Sequence, residues 1–206
     1  MVMSGVSSLH PALARKWAAL GIAVFQGYGT TETSPVITTN TFGQSREGSV
    51  GRVLPGQDVR IADDGEVLTR GPNVTQGYWQ NPDATGASFD DEGWYKTGDL
   101  GYLDDKGFLY LKGREKDLIV LADGRNVYPE DVEAVLANRP GVRDAVVIGA
   151  PKDGGASEVH AVLLLEGGFE ADAVVRSANS LLPEFQRIGD HAVWKERTFH
   201  GRTHSR

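Results

Sequence analysis

The chain has 206 residues, 40% hydrophobic and 24% charged, a composition that suits a soluble globular protein of one large domain or two small ones. Its net charge of −7, without a dense Lys/Arg patch, argues against nucleic-acid binding. The absence of cysteine excludes disulfides, thiolate metal sites and thiol catalysis, and permits a reducing cytoplasm. No apolar run approaches the roughly 18 residues of a membrane-spanning helix, and the stretch from Met1 to Ser8 lacks the apolar core of a signal peptide. The 26 glycines follow no period, so they read as many tight turns rather than as a collagen-like or low-complexity chain.

In chain order, Leu9, Leu13, Trp17 and Leu20 recur at helical spacing, with Ser8 as a cap and Gly21 as a stop. Ile22 to Phe25 reads as a buried strand that feeds a polar, glycine-rich loop, Gln26 to Thr33. Helix, strand and loop in this order are an α/β arrangement, which places ligands at the carboxyl ends of strands. From about Ser49 to Gly113 the pattern becomes antiparallel. Val59 and Ile61 pair with Glu66 to Thr69 across Asp63-Asp64-Gly65, Asn81-Pro82 starts a short helix, and Trp94 to Leu103 pairs with Phe108 to Lys112. A strand from Asp117 to Leu121 follows, then a helix opened by Pro129 with Val132, Val135 and Leu136 on one face. Strands at Val142 to Ile148 and Val159 to Leu165 and a helix from Ala171 to Leu182 complete an α+β unit. The change of pattern puts a domain boundary near Gly113 to Lys116, dividing the chain into residues 1–113 and 114–206.

Three short stretches carry groups suited to chemistry. Tyr28-Gly29-Thr30-Thr31-Glu32 offers hydroxyls and open backbone amides for phosphate oxygens, with a carboxylate suited to Mg²⁺. Thr97-Gly98-Asp99 presents a carboxylate able to accept hydrogen bonds from a vicinal diol such as a ribose. Gly113-Arg114-Glu115-Lys116-Asp117 presents a guanidinium at the domain boundary. Each alone also reads as an ordinary feature: a capped loop, a bulge in a hairpin and a solvated face.

Together, in this order and spacing, the three stretches resemble the adenylate-forming, AMP-binding superfamily of acyl-CoA synthetases. Tyr28 to Glu32 matches its Tyr-Gly-x-Thr-Glu element, Thr97 to Asp99 its Thr-Gly-Asp element, and Gly113 to Asp117 its Gly-Arg-x-Lys-Asp element. The wording QGYGTTETSPVIT and GREKDLIVLADGRNVYPEDVE is similar to long-chain fatty-acid–CoA ligases. The resemblance implies a fold that is part α/β and part α+β. Residues 1–113 would be the C-terminal portion of a large AMP-binding domain, with helix, strand and antiparallel β-rich subdomain, and residues 114–206 the small mobile C-terminal domain. It implies Tyr28 and Gly29 beside the nucleotide, with Tyr28 against adenine, Thr31 on the phosphates and Glu32 on Mg²⁺. Asp99 would hold the ribose with Arg114 beside it, and Lys116 would be the hinge; Thr31, Glu32 and Lys116 are the catalytic assignments. ATP or AMP, Mg²⁺ and CoA are the implied cofactors and co-substrates, and a fatty or other carboxylic acid is the substrate. A cytoplasmic setting is expected, with peripheral attachment to a membrane left open.

Two departures from the family pattern stand out. The phosphate loop that precedes Tyr-Gly-x-Thr-Glu in the family has no counterpart, and the terminal lysine is replaced by Arg202 or falls after Arg206. The expectation is therefore an incomplete chain with little adenylation of its own. A non-catalytic nucleotide- or CoA-binding module and one half of a split enzyme, with a partner chain supplying the front, are the alternatives. Ser4-Gly5-Val6-Ser7 loosely matches an adenine-side element. His200 and His204 lie four apart without a carboxylate between them to complete a metal site. Trp79, Trp94 and Trp194 are assigned to core or interface packing, and an uncovered apolar face is expected on the first helix.

Overall fold

The computed structural model describes residues 2–5, 9, 11–151 and 157–195, with the side chains of residues 11 and 12 left aside. The expectations placed on Val6, Ser7, Ser8, His200, Arg202 and His204 lie outside the described residues. The fold is mixed α and β, rich in strand and poor in helix, and it divides into two compact units, Met1–Glu115 and Lys116–Arg206.

In the first unit, strand β1 (Val2–Ser4) and helix α1 (Pro11–Ala19) lead into β2 (Val24–Tyr28). Then follow β3 (Thr38–Thr39), β4 (Gly51–Val53), β5 (Asp58–Ile61), β6 (Glu66–Arg70), helix α2 (Pro82–Ala87), β7 (Tyr95–Leu103) and β8 (Phe108–Arg114). The strands form one eight-stranded sheet in the order β1-β2-β3-β4-β8-β7-β6-β5. Only β1 and β2 run parallel, joined through α1 as a parallel pair requires. Tyr28, Ile37, Val50, Val67 and Leu109 are the buried centre of this unit.

Local chemistry explains the expected hairpins. Asp104 Oδ1 accepts from the Lys106 and Phe108 amides at 2.9 Å each, fixing the turn between β7 and β8. Asn81 caps α2 by accepting from the Ala84 amide at 3.1 Å, and Pro82 takes the first helical position, where its missing N–H costs nothing.

Several details differ from the sequence expectation. Helix α1 begins at Pro11 rather than near Leu9, because proline fits only the first turn, and it ends before Leu20. Leu13, Trp17 and Leu20 are exposed, and an apolar cavity of about 470 Å³ lies between α1 and the β1–β2 edge, lined by Met3, Trp17 and Val24 among others. Strand β2 starts at Val24 and runs through Gln26 and Gly27 to Tyr28, so the motif tyrosine closes a strand instead of opening a loop. Ladder pairing overrides the glycine-rich local pattern there: Gln26 is in register with Ser4, Gly27 with Thr39 and Tyr28 with Thr38. Trp94 is buried beneath the guanidinium groups of Arg60 and Arg70, 4.8 and 4.5 Å from its ring. Trp79 is not core: it is 89% exposed in the turn before α2, where none of the described elements packs over it. Trp194 is also exposed.

The second unit begins with a short two-stranded pair, β9 (Ile119–Val120) and β10 (Asn126–Val127), closed by the turn at Gly124. Helix α3 (Pro129–Ala137) follows, with proline at its first position and Glu130 and Asp131 in the first turn, where carboxylates suit the helix dipole. Strands β11 (Val142–Pro151) and β12 (Ser157–Leu165) pair antiparallel, helix α4 (Ala171–Asn179) comes next, and β13 (Asp190–Val193) adds in parallel to β12. Alternation puts Ala145, Val147, Val159, Ala161 and Leu163 on one sheet face, where Val132 and Leu136 of α3 and Val174, Val175 and Ala178 of α4 cover them. Strands β10 and β13 are too short to show a period in the sequence. The expected helix from Ala171 to Leu182 stops at Asn179, whose side chain instead bonds the Ile188 backbone at 2.8 and 3.0 Å.

Candidate active site

The first unit brings Tyr28, Asp99 and Arg114 together. Asp99 stands on β7 directly opposite Arg114 on β8, and Tyr28 ends β2. The Tyr28 hydroxyl donates to Asp99 Oδ2 at 2.6 Å, and Arg114 Nε lies 2.8 Å from Asp99 Oδ1. Asp99 and Tyr28 are both buried, whereas the Arg114 side chain is 39% exposed. Each carboxylate oxygen has two lone pairs, so an ionised carboxylate such as that of Asp99 can accept more than two hydrogen bonds, as a diol would require.

Burial pushes the Tyr28 hydroxyl well above its usual pKa, and the negative charge of Asp99 and its hydrogen bond push it further. The folded chain therefore holds this proton more tightly than the unfolded chain. Its contribution to stability is fully present below about pH 10 and is lost as pH rises through the folded value. Tyr28→Phe should lower stability near neutral pH by roughly 1.5–3 kcal/mol, the range for hydrogen bonds to charged groups, and should remove this part of the alkaline decline. Urea unfolding midpoints from neutral to strongly alkaline pH would check both; an unchanged alkaline limb would contradict the assignment.

The residues after Tyr28 form a tight 3₁₀ turn, Thr31–Thr33. The Thr30 amide donates to Thr33 Oγ1, which in turn donates to the Thr30 carbonyl, both at 2.9 Å. Gly29 lies so close to the returning chain that a Cβ there would sit 2.1 Å from the Pro35 carbonyl oxygen. Thr31 is exposed and Glu32 half-buried. The segment after β6 brackets this turn. Thr75 donates its amide to the Glu32 carbonyl at 2.7 Å, Asn73 Nδ2 donates to the Thr33 carbonyl at 2.7 Å, and the Tyr78 hydroxyl donates to Glu32 Oε1 at 3.1 Å. Burial raises the pKa of neighbouring Tyr95, with the Tyr78 hydroxyl and the Glu32 charge adding to it.

Among the described residues no three His, Cys, Asp or Glu side chains gather as a metal cluster. Glu32 by itself suits a hard cation such as Mg²⁺, which commonly takes one or two carboxylates and draws its other ligands from phosphate and water. Lys116 is exposed in the 3₁₀ turn Glu115–Asp117, and it is the first residue of the second unit.

Sequence reasoning missed Asn73, Thr75, Tyr78 and Glu66 as parts of this site, and it placed Thr97 in a motif without giving its side chain a role. Thr97 Oγ1 donates to the Val67 carbonyl at 2.7 Å and accepts from the Asp99 amide at 3.1 Å. Glu66 Oε1 accepts from the Gly98 amide at 2.8 Å. Burial raises the Glu66 pKa, the Gly98 N–H opposes the rise, and Glu115 and Asp64 add to it. A charged residue inside a buried strand is the only sequence signal that could have pointed to Glu66.

Residues 1–79 match the model of the AMP-binding enzyme family. The chain is 44% identical over 150 residues to a long-chain-fatty-acid–CoA ligase, FadD15, of Mycobacterium bovis, covering 73% of this chain and 25% of that protein. It is also 44% identical over 151 residues to a 2-succinylbenzoate–CoA ligase of Listeria monocytogenes, covering 72% of this chain and 32% of that one. The o-succinylbenzoate CoA synthetase of Bacillus subtilis, solved with its acyl-adenylate intermediate, superposes with a TM-score of 0.86 at 35% identity over 94% of this chain and 42% of its own. The same enzyme with ATP and a magnesium ion gives a TM-score of 0.84 at 35% identity, over 93% of this chain and 42% of its own. The chain thus spans between a quarter and under half of the relatives it matches, and over that span it belongs to the adenylate-forming family of AMP-binding acyl-CoA synthetases.

Proposed function

We propose that the chain supplies the ribose and magnesium side of an enzyme that activates a carboxylic acid with ATP and passes the acyl group to CoA. The buried Asp99 carboxylate, held between Tyr28 and Arg114, carries this reading. In it, Asp99 accepts from the ribose hydroxyls, Arg114 pairs with that carboxylate and borders the phosphates, and Tyr28 borders the adenine while its hydroxyl fixes Asp99. Gly29 and Thr31 face the phosphates from the tight turn. Magnesium bound with ATP would neutralise phosphate charge, and Glu32 would be its carboxylate ligand. Positioning and charge neutralisation are the protein's work in such a reaction: a carboxylate oxygen attacks the α-phosphorus and pyrophosphate leaves, then the CoA thiolate attacks the acyl carbon and AMP leaves.

Residues 1–113 belong in this reading to the large AMP-binding domain and residues 114–206 to the small C-terminal domain, with Lys116 as the hinge. A fatty acid is the favoured acid, supported by the wording from Gly113 to Glu133. The equal identities to a fatty-acid ligase and a succinylbenzoate ligase define the panel to assay. Calorimetric titration with AMP, and with ATP and Mg²⁺, tests the nucleotide half. Pyrophosphate exchange over a panel of fatty and aromatic acids, with and without a family front half supplied as a separate chain, tests the chemistry. Saturable AMP binding is the expected result, and no binding of either nucleotide would end the reading.

A further inference from the structure

We propose that Glu66 is a positioning residue for the Asp99 carboxylate, acting through the Gly98 amide; this rests on the reading of Asp99 as the ribose acceptor. Among the described residues Glu66 and Asp99 are the two buried carboxylates, and they approach the same three-residue stretch. Glu66 pairs with Leu100 and Leu68 pairs with Lys96, so Val67 alone opposes Thr97, Gly98 and Asp99. The β7 strand therefore bulges just where it presents Asp99, and the bulged amides lose their regular ladder acceptors.

A buried N–H left without an acceptor is costly, so the acceptors must come from elsewhere. Two side chains supply them. Thr97 Oγ1 accepts from the Asp99 amide at 3.1 Å, and Glu66 Oε1 accepts from the Gly98 amide at 2.8 Å. Gly98 sits at φ +69°, a left-handed conformation that gives the bulge its sharp turn. With Gly98 pinned from β6, the following residue faces Arg114 and the Tyr28 hydroxyl. A β6 residue without a side-chain acceptor would free the Gly98 peptide to rotate and carry the Asp99 carboxylate with it. Glu66 does not need to touch the nucleotide for this.

The test compares AMP with 2′,3′-dideoxy-AMP, which lacks the diol, on the wild-type chain and on Glu66→Leu and Glu66→Gln. Glu66→Leu should weaken AMP about tenfold, the effect of one lost charge-assisted hydrogen bond, and leave dideoxy-AMP nearly unchanged. Glu66→Gln keeps an oxygen acceptor and should restore most of the preference for AMP. Equal losses for both nucleotides, or no loss for AMP, would overturn the positioning role while leaving the ribose reading intact. A wild-type chain that binds the two nucleotides equally, or binds neither, would overturn the ribose reading and this proposal with it. Should Glu66→Leu fail to fold, the Gly98 amide proton decides by NMR. It should resonate far downfield, exchange slowly, and move between the wild-type chain and Glu66→Gln. A random-coil position in the wild-type chain would overturn the proposal.

Discussion

Alanine at Gly51 is expected to remove roughly 3–5 kcal/mol of stability, most of what a small unit has to lose. Two costs add. Gly51 sits at φ +96°, which an L-residue adopts only with strain. A Cβ at Gly51 would also lie 1.9 Å from the Thr39 carbonyl carbon and 2.2 Å from the Asn40 amide nitrogen, all backbone that cannot step aside cheaply. Because β4 joins β3 on one side to β8 on the other, the displaced strand would loosen both halves of the sheet. Gly56 is the control: its φ of +83° carries a similar conformational cost, but nothing lies within 4 Å of its Cβ position. Gly56→Ala should therefore cost only about 1–2 kcal/mol. Urea unfolding of the two variants side by side would separate crowding from conformation, and similar losses in both would refute the crowding argument.

Asp99→Asn is expected to reduce AMP affinity by about two orders of magnitude, in line with truncating one member of a buried, hydrogen-bonded charge pair. The amide keeps the volume but offers one acceptor oxygen where the carboxylate offers two. It can satisfy Tyr28 or Arg114, while its NH₂ group faces the other donor. The ribose hydroxyls then meet a partner without charge and with less acceptor capacity. The stability change should be smaller than the binding change, because the Arg114 side chain is partly exposed and water can replace its lost partner. Calorimetry on folded Asp99→Asn, verified by circular dichroism, reads the affinity directly. An affinity within about threefold of the wild-type chain would show that Asp99 does not bear on the nucleotide at all.

Much of this site is legible in the amino-acid sequence. Asp99 and Arg114 can be read as near neighbours because both flank the hairpin turn that Asp104 and Gly107 announce, although unbroken register would set Asp99 opposite Gly113 and it is a bulge between Leu100 and Gly101 that brings Arg114 opposite it. The helix opened by Pro129 is equally clear, since proline, two acids and an apolar stripe all agree there. Features made by pairing between distant strands are hidden from such reading. Tyr28 looks like a loop residue because Gln26 and Gly27 are poor strand formers, yet β1 and β3 hold them in a ladder from both sides. Glu66 carries only the signal of a charge inside a buried strand: its role arises from a two-residue mismatch between β6 and β7 that no local spacing encodes. Trp79 misleads for the opposite reason, as its size says what it could bury but not whether anything arrives to cover it.

The hydrogen bond between Tyr28 and Asp99 joins residues 71 positions apart, and it can form only once β2, β3, β4 and β8 have all found their places. The meander from β5 to β8 contains mostly local contacts and can assemble early, whereas the pairing of β4 with β8 must close a long loop first. On that order of assembly the carboxylate would be in place before its phenol partner arrives. A nucleotide that needs both would ignore folding intermediates and capture only the finished unit, so its binding would slow unfolding and leave the early folding steps untouched.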